Sequence, residues 1–227
     1  PGILVETIAI FINNLAAPAN TKVFSLTHRL HLTQPQAYIF DPELPYWIIY
    51  RNQLFDSVCR KLDFDVFEVF RDRQLTNKLL SSSGELRVLK SRNLSDDGKA
   101  ILDIPGYDSY ISYAAAKPLS VFQYLDAPNV YLTPNMTYKP RMMKKPPHCV
   151  VNGSLAILIP KGGIVPTEKQ LAYFSSEEYR AFYQIARNFQ TRSLNVDACS
   201  VFFYGLLRDE AKPAPEKFDT SIQLSFL

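Results

Sequence analysis

The sequence predicts an α+β protein, a β-rich mixed domain with a few helices, preceded by a linking α/β segment. Three observations predict it. Short runs rich in Val, Ile and Leu, separated by Gly, Pro, Asn and Asp clusters, fill much of the chain past Asp63. Two other stretches, Asn52 to Leu62 and Ser175 to Phe189, repeat apolar residues at helical spacing. Of the 227 residues, 47% are apolar, enough to bury a core in one large domain or two small ones.

The elements follow in order. Gly2 to Ile12 reads as a buried strand, ended by turn-forming Asn13 and Asn14. Lys22 to Leu32 reads as a second strand, with Val23, Ser25 and Thr27 alternating with Phe24, Leu26 and His28. Asp41-Pro-Glu-Leu-Pro45 is a break. Leu54, Phe55, Val58 and Leu62 then share one face of an amphipathic helix that joins two units. Glu85 to Leu89, Asn129 to Leu132 and Ser154 to Ile159 read as strands, and Lys161-Gly-Gly163 as a hairpin end. The second helix opens on a capping box, with Ser175 as N-cap and Glu178 three residues on. Its apolar face is Tyr179, Phe182, Tyr183, Ala186 and Phe189. Residues 211–227, with Pro213 and Pro215, read as an extended strap or loose end. The expected division is therefore 1–62 as linking segment, 63–210 as the main domain and 211–227 as tail.

A net charge of +3 is a mild bias toward polyanions, and its distribution sharpens it. Between Ala127 and Lys161 lie Lys139, Arg141, Lys144, Lys145 and Lys161 with no Asp or Glu, whereas Asp209, Glu210, Glu216 and Asp219 follow Arg208. Cys59, Cys149 and Cys199 lie far apart, which predicts a reducing, cytoplasmic compartment rather than a disulfide framework. No run of 18 apolar residues is present, so neither a membrane span nor a signal peptide is expected. The opening Pro-Gly, in place of Met, is what a piece excised from a longer protein would show.

Catalytic signatures are missing. There is no cofactor-cradling glycine loop, and Asp41-Pro-Glu-Leu-Pro-Tyr46 has two residues between its prolines where an adenine-binding Asp/Asn-Pro-Pro-aromatic motif has none. His28 and His31 have no third ligand nearby and read as ordinary surface histidines. Three clusters instead mix cationic, amide and hydroxyl side chains in the manner of a DNA surface. They are Phe70 to Thr76 with Arg87 to Asn93, Thr133 to Arg141 with Lys144 and Lys145, and Arg187 to Asn195. Arg71, Asp72 and Arg73 are equally compatible with a local ion-pair network, and Arg192, Ser193 and Asn195 with a loop tied by backbone bonds, whereas Lys144 and Lys145, with no acidic residue beside them, read as DNA contacts ahead of a solvated loop.

At these residues the chain resembles the specificity region of gamma-class adenine-N6 DNA methyltransferases of type II restriction-modification systems. The resemblance is carried by Tyr46-Trp-Ile-Ile-Tyr-Arg51, Phe70-Arg-Asp-Arg-Gln74, Arg87-Val-Leu-Lys-Ser-Arg-Asn93, Tyr131-Leu-Thr-Pro-Asn-Met-Thr-Tyr-Lys-Pro-Arg141, Val151-Asn-Gly-Ser154 and Asn188-Phe-Gln-Thr-Arg-Ser-Leu-Asn195, in that order. It implies a target-recognition domain that grips double-stranded DNA beside a catalytic methyltransferase domain, on the same parent chain or a separate subunit. S-adenosyl-L-methionine would then bind the parent enzyme, and this chain would hold no cofactor, metal or catalytic residue of its own. The DNA-binding residues expected are Arg71, Arg73, Lys90, Arg92, Asn93, Tyr138, Lys139, Arg141, Lys144, Lys145, Arg192, Ser193 and Asn195. The alternatives are a standalone specificity or protein-interaction module, and a diverged nuclease or methyltransferase catalytic fragment.

Overall fold

The computed structural model describes residues 20–26, 28–137, 139–190 and 195–209, together with Ala9 and Phe11. The expected strand at Gly2 to Ile12 lies, those two residues aside, outside the described residues, as does the tail. The architecture is α+β, in line with the sequence. Eleven strands are described: β1 (Asn20–Ser25), β2 (Leu30–Pro35), β3 (Leu62–Asp63), β4 (Phe67–Phe70), β5 (Leu86–Leu89), β6 (Ser109–Ile111), β7 (Tyr131–Pro134), β8 (Met143–Lys144), β9 (Cys149–Val151), β10 (Leu155–Pro160) and β11 (Leu206–Leu207). The α-helices among the described residues are α1 (Gln36–Ile39), α2 (Gln53–Lys61), α3 (Tyr113–Ala116), α4 (Glu168–Tyr173) and α5 (Glu177–Ala186).

A four-stranded sheet in the order β4-β10-β7-β8 is the middle layer. Side chains alternate across a strand, and β10 uses both faces: Ala156 and Leu158 join one apolar cluster while Leu155 and Ile157 join another. β7 divides the same way, with Tyr131 in the first cluster and Leu132 in the second. The continuous apolar run of β10 therefore marks a strand buried on both faces. Against the first face lie α2, α5 and the turn Ser200–Phe203, supplying Phe55, Val58, Tyr179, Phe182, Tyr183 and Phe203. Against the second lie a three-stranded sheet, β6-β5-β9, together with α3 and the turn Ser120–Tyr124.

Three expectations are corrected. The strand expected at Lys22 to Leu32 is a hairpin: β1 and β2 pair antiparallel, Phe24 opposite His31, around a turn whose Arg29 has a φ of 48°. The N-cap of α5 is Ser176, whose hydroxyl accepts from the Tyr179 N–H at 3.1 Å, so the cap lies one residue later than the spacing suggests. Ser175 instead donates to the Asp97 carbonyl, and Glu178 turns to Lys61 and Tyr173. Among the described residues the division at residue 62 has no counterpart in the packing, because Ile48, Phe55, Val58 and Leu62 sit in the same cluster as Tyr131, Leu158 and Tyr204. Across that point β3 pairs with β11.

Candidate nucleic-acid interface

The sheets bring the sequence-distant polar segments to one end. β10 runs antiparallel to β4 and β7, with Ile157 opposite Phe70 and Leu155 opposite Pro134. β9 runs parallel to β5, Leu89 beside Val151, and leads through Asn152-Gly-Ser154 into β10. Hence β4, β5, β7 and β9 all finish at the start of β10, and the segments that follow them share that end.

Hydrogen bonds knit these segments together around the Asn152–Ser154 turn. Ser91 N–H donates to Ser154 Oγ at 2.9 Å, and Asn135 N–H to the Ser154 carbonyl at 2.9 Å. Asn135 Nδ2 donates to the Gly153 carbonyl at 2.8 Å and to Asn195 Oδ1 at 2.7 Å. The loop after β4 packs so closely that a Cβ on Gly153 would meet the Asp72 carbonyl oxygen at 2.6 Å. Segments from all three polar clusters singled out in the sequence thus meet at this end of the sheets.

Arg71 is half-buried and Arg73 exposed in the loop after β4. The Asp72 carboxylate between them is buried and accepts from the Gln74 and Leu75 N–H groups, at 3.3 and 2.8 Å. It forms an Asx-type turn rather than an ion pair, so the local ion-pair network is not what the loop contains. Arg92 is exposed, its guanidinium carbon 4.7 Å from the centre of the Tyr107 ring. Among the described residues, Arg71, Arg73 and Arg92 have no carboxylate at ion-pair distance. Lys139 is exposed and 3.6 Å from Asp96 Oδ2. Asn195 is half-buried.

Four expected contact residues are engaged within the protein, and a fifth, Lys144, lies away from the loop cluster. Asn93 is fully buried: its Oδ1 accepts from the Lys90 N–H, and its Nδ2 donates to the Leu102 carbonyl and Asp108. Arg141 is buried, its guanidinium bridging the carbonyls of Ser91, Leu94 and Lys139 at 3.1–3.2 Å. Lys145 is buried, with Nζ on the carbonyls of Leu125 and Pro146. Burial pushes the Lys145 ammonium below its ordinary pKa, and lowers Arg141 likewise. Lys90 reaches back to the Tyr107 carbonyl and Ser109, over the Tyr107 ring, and partial burial lowers its pKa against the opposing pull of Asp108. Lys144 is exposed but faces Tyr131, at the far end of β7, about 10 Å of strand away from the loop cluster. A lysine stem lines apolar surface readily, so a run of basic residues does not reveal which of them keep their charge in water. Tyr138, Arg192 and Ser193 lie outside the described residues.

Asn135 and the Asn152–Ser154 turn lie in strings that carry the resemblance, but the sequence did not single them out as contact residues. An Asn-Gly pair between two strand-like runs is a hairpin signal, yet here it joins strands of different sheets, β9 of β6-β5-β9 and β10 of β4-β10-β7-β8, and nothing in the order of residues ties it to Asn135 or Asn195. Elsewhere His31 stacks on Phe24 and His28 packs on Phe189 and Tyr50. Among the described residues no group of three or more His, Cys, Asp or Glu is arranged to hold a metal, and no helix is long and apolar enough to cross a membrane. In comparison with known proteins, no family model matches the chain and no curated protein matches it.

Proposed function

We propose that this chain binds double-stranded DNA through the loop cluster beyond β4, β5, β7 and β9, as the target-recognition region of an adenine-specific DNA methyltransferase. Its main support is the convergence of three sequence-distant segments, bringing Arg71, Arg73, Arg92, Lys139 and Asn195 to one end. Guanidinium and ammonium groups there are donors to phosphate, and a half-buried amide is a reader of base edges. The methyltransferase setting rests on the six ordered strings of the resemblance. In that setting S-adenosyl-L-methionine and the transfer step belong to a neighbouring catalytic domain, and this chain supplies grip and choice of site.

Arg71→Ala, Arg73→Ala and Arg92→Ala combined are expected to weaken binding to unmethylated duplex. They should also flatten the dependence of log K on log salt by about 0.9 for each phosphate no longer neutralised. Lys144→Ala should leave both quantities unchanged. Fluorescence anisotropy at several salt concentrations measures this, and an unaltered slope in the triple variant would overturn the proposal. Calorimetric titration of the chain with S-adenosyl-L-methionine should give no saturable heat; saturable heat would favour the catalytic-fragment alternative.

A further inference from the structure

Asn135 is 4% exposed and its polar groups are engaged on every side. Its carbonyl and its Oδ1 both accept from the Val196 N–H, at 3.1 and 3.0 Å, while Nδ2 faces the Gly153 carbonyl and Asn195 Oδ1. The two backbone partners cannot exchange roles, since a peptide N–H only donates and a peptide carbonyl only accepts. They fix the direction of the Asn135 amide without ambiguity, which side-chain amides alone rarely allow. Through it they fix Asn195: the atom turned toward Asn135 Nδ2 has to be an acceptor, so the Asn195 NH2 is turned away from Asn135. Among the described residues that NH2 has no hydrogen-bond partner.

Building on the DNA-binding proposal, we infer that Asn195 reads a hydrogen-bond acceptor on a base edge, and that Asn135 is the positioning residue that orients it. In the major groove the acceptors are guanine O6 and N7, adenine N7 and thymine O4; the cytosine N4 amino group is a donor and is disfavoured. The neighbouring Arg71, Arg73 and Arg92 also present only donors, so the whole surface suits acceptor-rich partners.

Asn195→Asp tests this directly. An aspartate keeps an oxygen for Asn135 Nδ2 and replaces the outward NH2 with a second oxygen, so the loop is retained while the outward group changes from donor to acceptor. Wild type and variant are each used to select sites from a random duplex library, and the enriched sequences are compared; equal melting temperatures show that the fold is kept. Wild type is expected to enrich a motif in which one position favours an acceptor-bearing base, and Asn195→Asp to lose roughly tenfold in preference at that position alone, or to shift it toward cytosine. Asn135→Asp sets a carboxylate against the Gly153 carbonyl and Asn195 Oδ1, and should blur the same position. A uniform loss with the motif unchanged overturns the inference and leaves DNA binding standing. Failure of wild type to enrich any motif overturns both.

Discussion

At the scale of single residues, the informative side chains are the cations that the fold takes out of water. Arg141 has three carbonyls on its guanidinium and its nearest carboxylate, Asp96, at 4.0 Å, so dipoles rather than a counter-ion hold the charge. Removing it leaves those carbonyls and a cavity between the turn Ser91–Asn93 and the segment 139–141. Arg141→Ala should therefore cost about 2–4 kcal/mol in urea unfolding, whereas Arg73→Ala on the exposed loop should stay within about 0.5 kcal/mol. Equal losses would show that Arg141 is not structural. The buried tyrosines carry a pH signature. Burial raises the hydroxyl pKa of Tyr179 and Tyr204 well above the usual tyrosine value, with Tyr183 raised too. A group whose folded pKa exceeds its unfolded one stabilises the fold fully below the unfolded value, so stability should be flat up to about pH 10 and fall beyond it. Tyrosinate absorbance should appear together with unfolding; its appearance in a still-folded chain would contradict the burial. Burial of Tyr179 and Tyr183 was legible in the helical spacing, but that of Arg141 and Lys145 was not: in the sequence they look like their solvated neighbours, because burial of a charge depends on which distant carbonyls surround it.

At the scale of elements, the Asn152–Ser154 turn sets the positions of everything proposed to touch DNA. Gly153 has no room for a methyl group because the obstacle is the Asp72 backbone carbonyl and not a flexible side chain. Gly153→Ala should push the loop after β4 outward, cost about 1–3 kcal/mol in stability and carry Arg71 and Arg73 off their positions. Binding should then show a salt slope lower by about 1.8, two phosphates' worth, which anisotropy distinguishes from a purely structural loss. A stable variant with wild-type slope would sink the assignment of that loop. Much at this scale was legible: α2, β5 and β10 fall where periodicity and apolar runs place them, because each is patterned by its own burial, and β7 begins two residues after the expected start. The β1–β2 hairpin was not, since six alternating residues on each side of a turn without Gly or Pro read as one continuous strand, and Arg29 takes the left-handed backbone that a glycine would advertise. The α5 cap slipped by one because adjacent serines offer the same chemistry, and only the packing of Ser175 on Asp97 separates them.

At the scale of the molecule, the middle sheet is covered on both faces, and the cover of its first face comes from both ends of the chain. Ile48, Phe55, Val58 and Leu62, each fully buried, lie before the expected boundary at residue 62, and α2 packs on α5 from well beyond it. Arg51 fastens the same region, bonded to Asp41 at 2.7 Å and Asp56 at 2.8 Å and stacked over Tyr38. Composition changes near Asp63, and in sequence that looks like a domain edge; in space it is only the step from helix to strand, where β3 at once pairs with β11. Full burial of four such side chains contributes roughly 6–12 kcal/mol, comparable with the whole stability of an ordinary domain, about 5–15 kcal/mol. A piece beginning at Asp63 and ending at Asp209 should therefore lack a cooperative thermal transition and near-ultraviolet dichroism, whereas one beginning at Asn20 should show both. The same pair should differ in DNA binding, since the end of α5 that leads to Asn195 is held by the segment before α2: Asn188 bonds the Trp47 carbonyl and the Ile49 N–H, and Tyr46 the Ala186 carbonyl. A cooperative melt from the shorter piece would mean that the residues before Asp63 are packed on the domain without being needed to fold it.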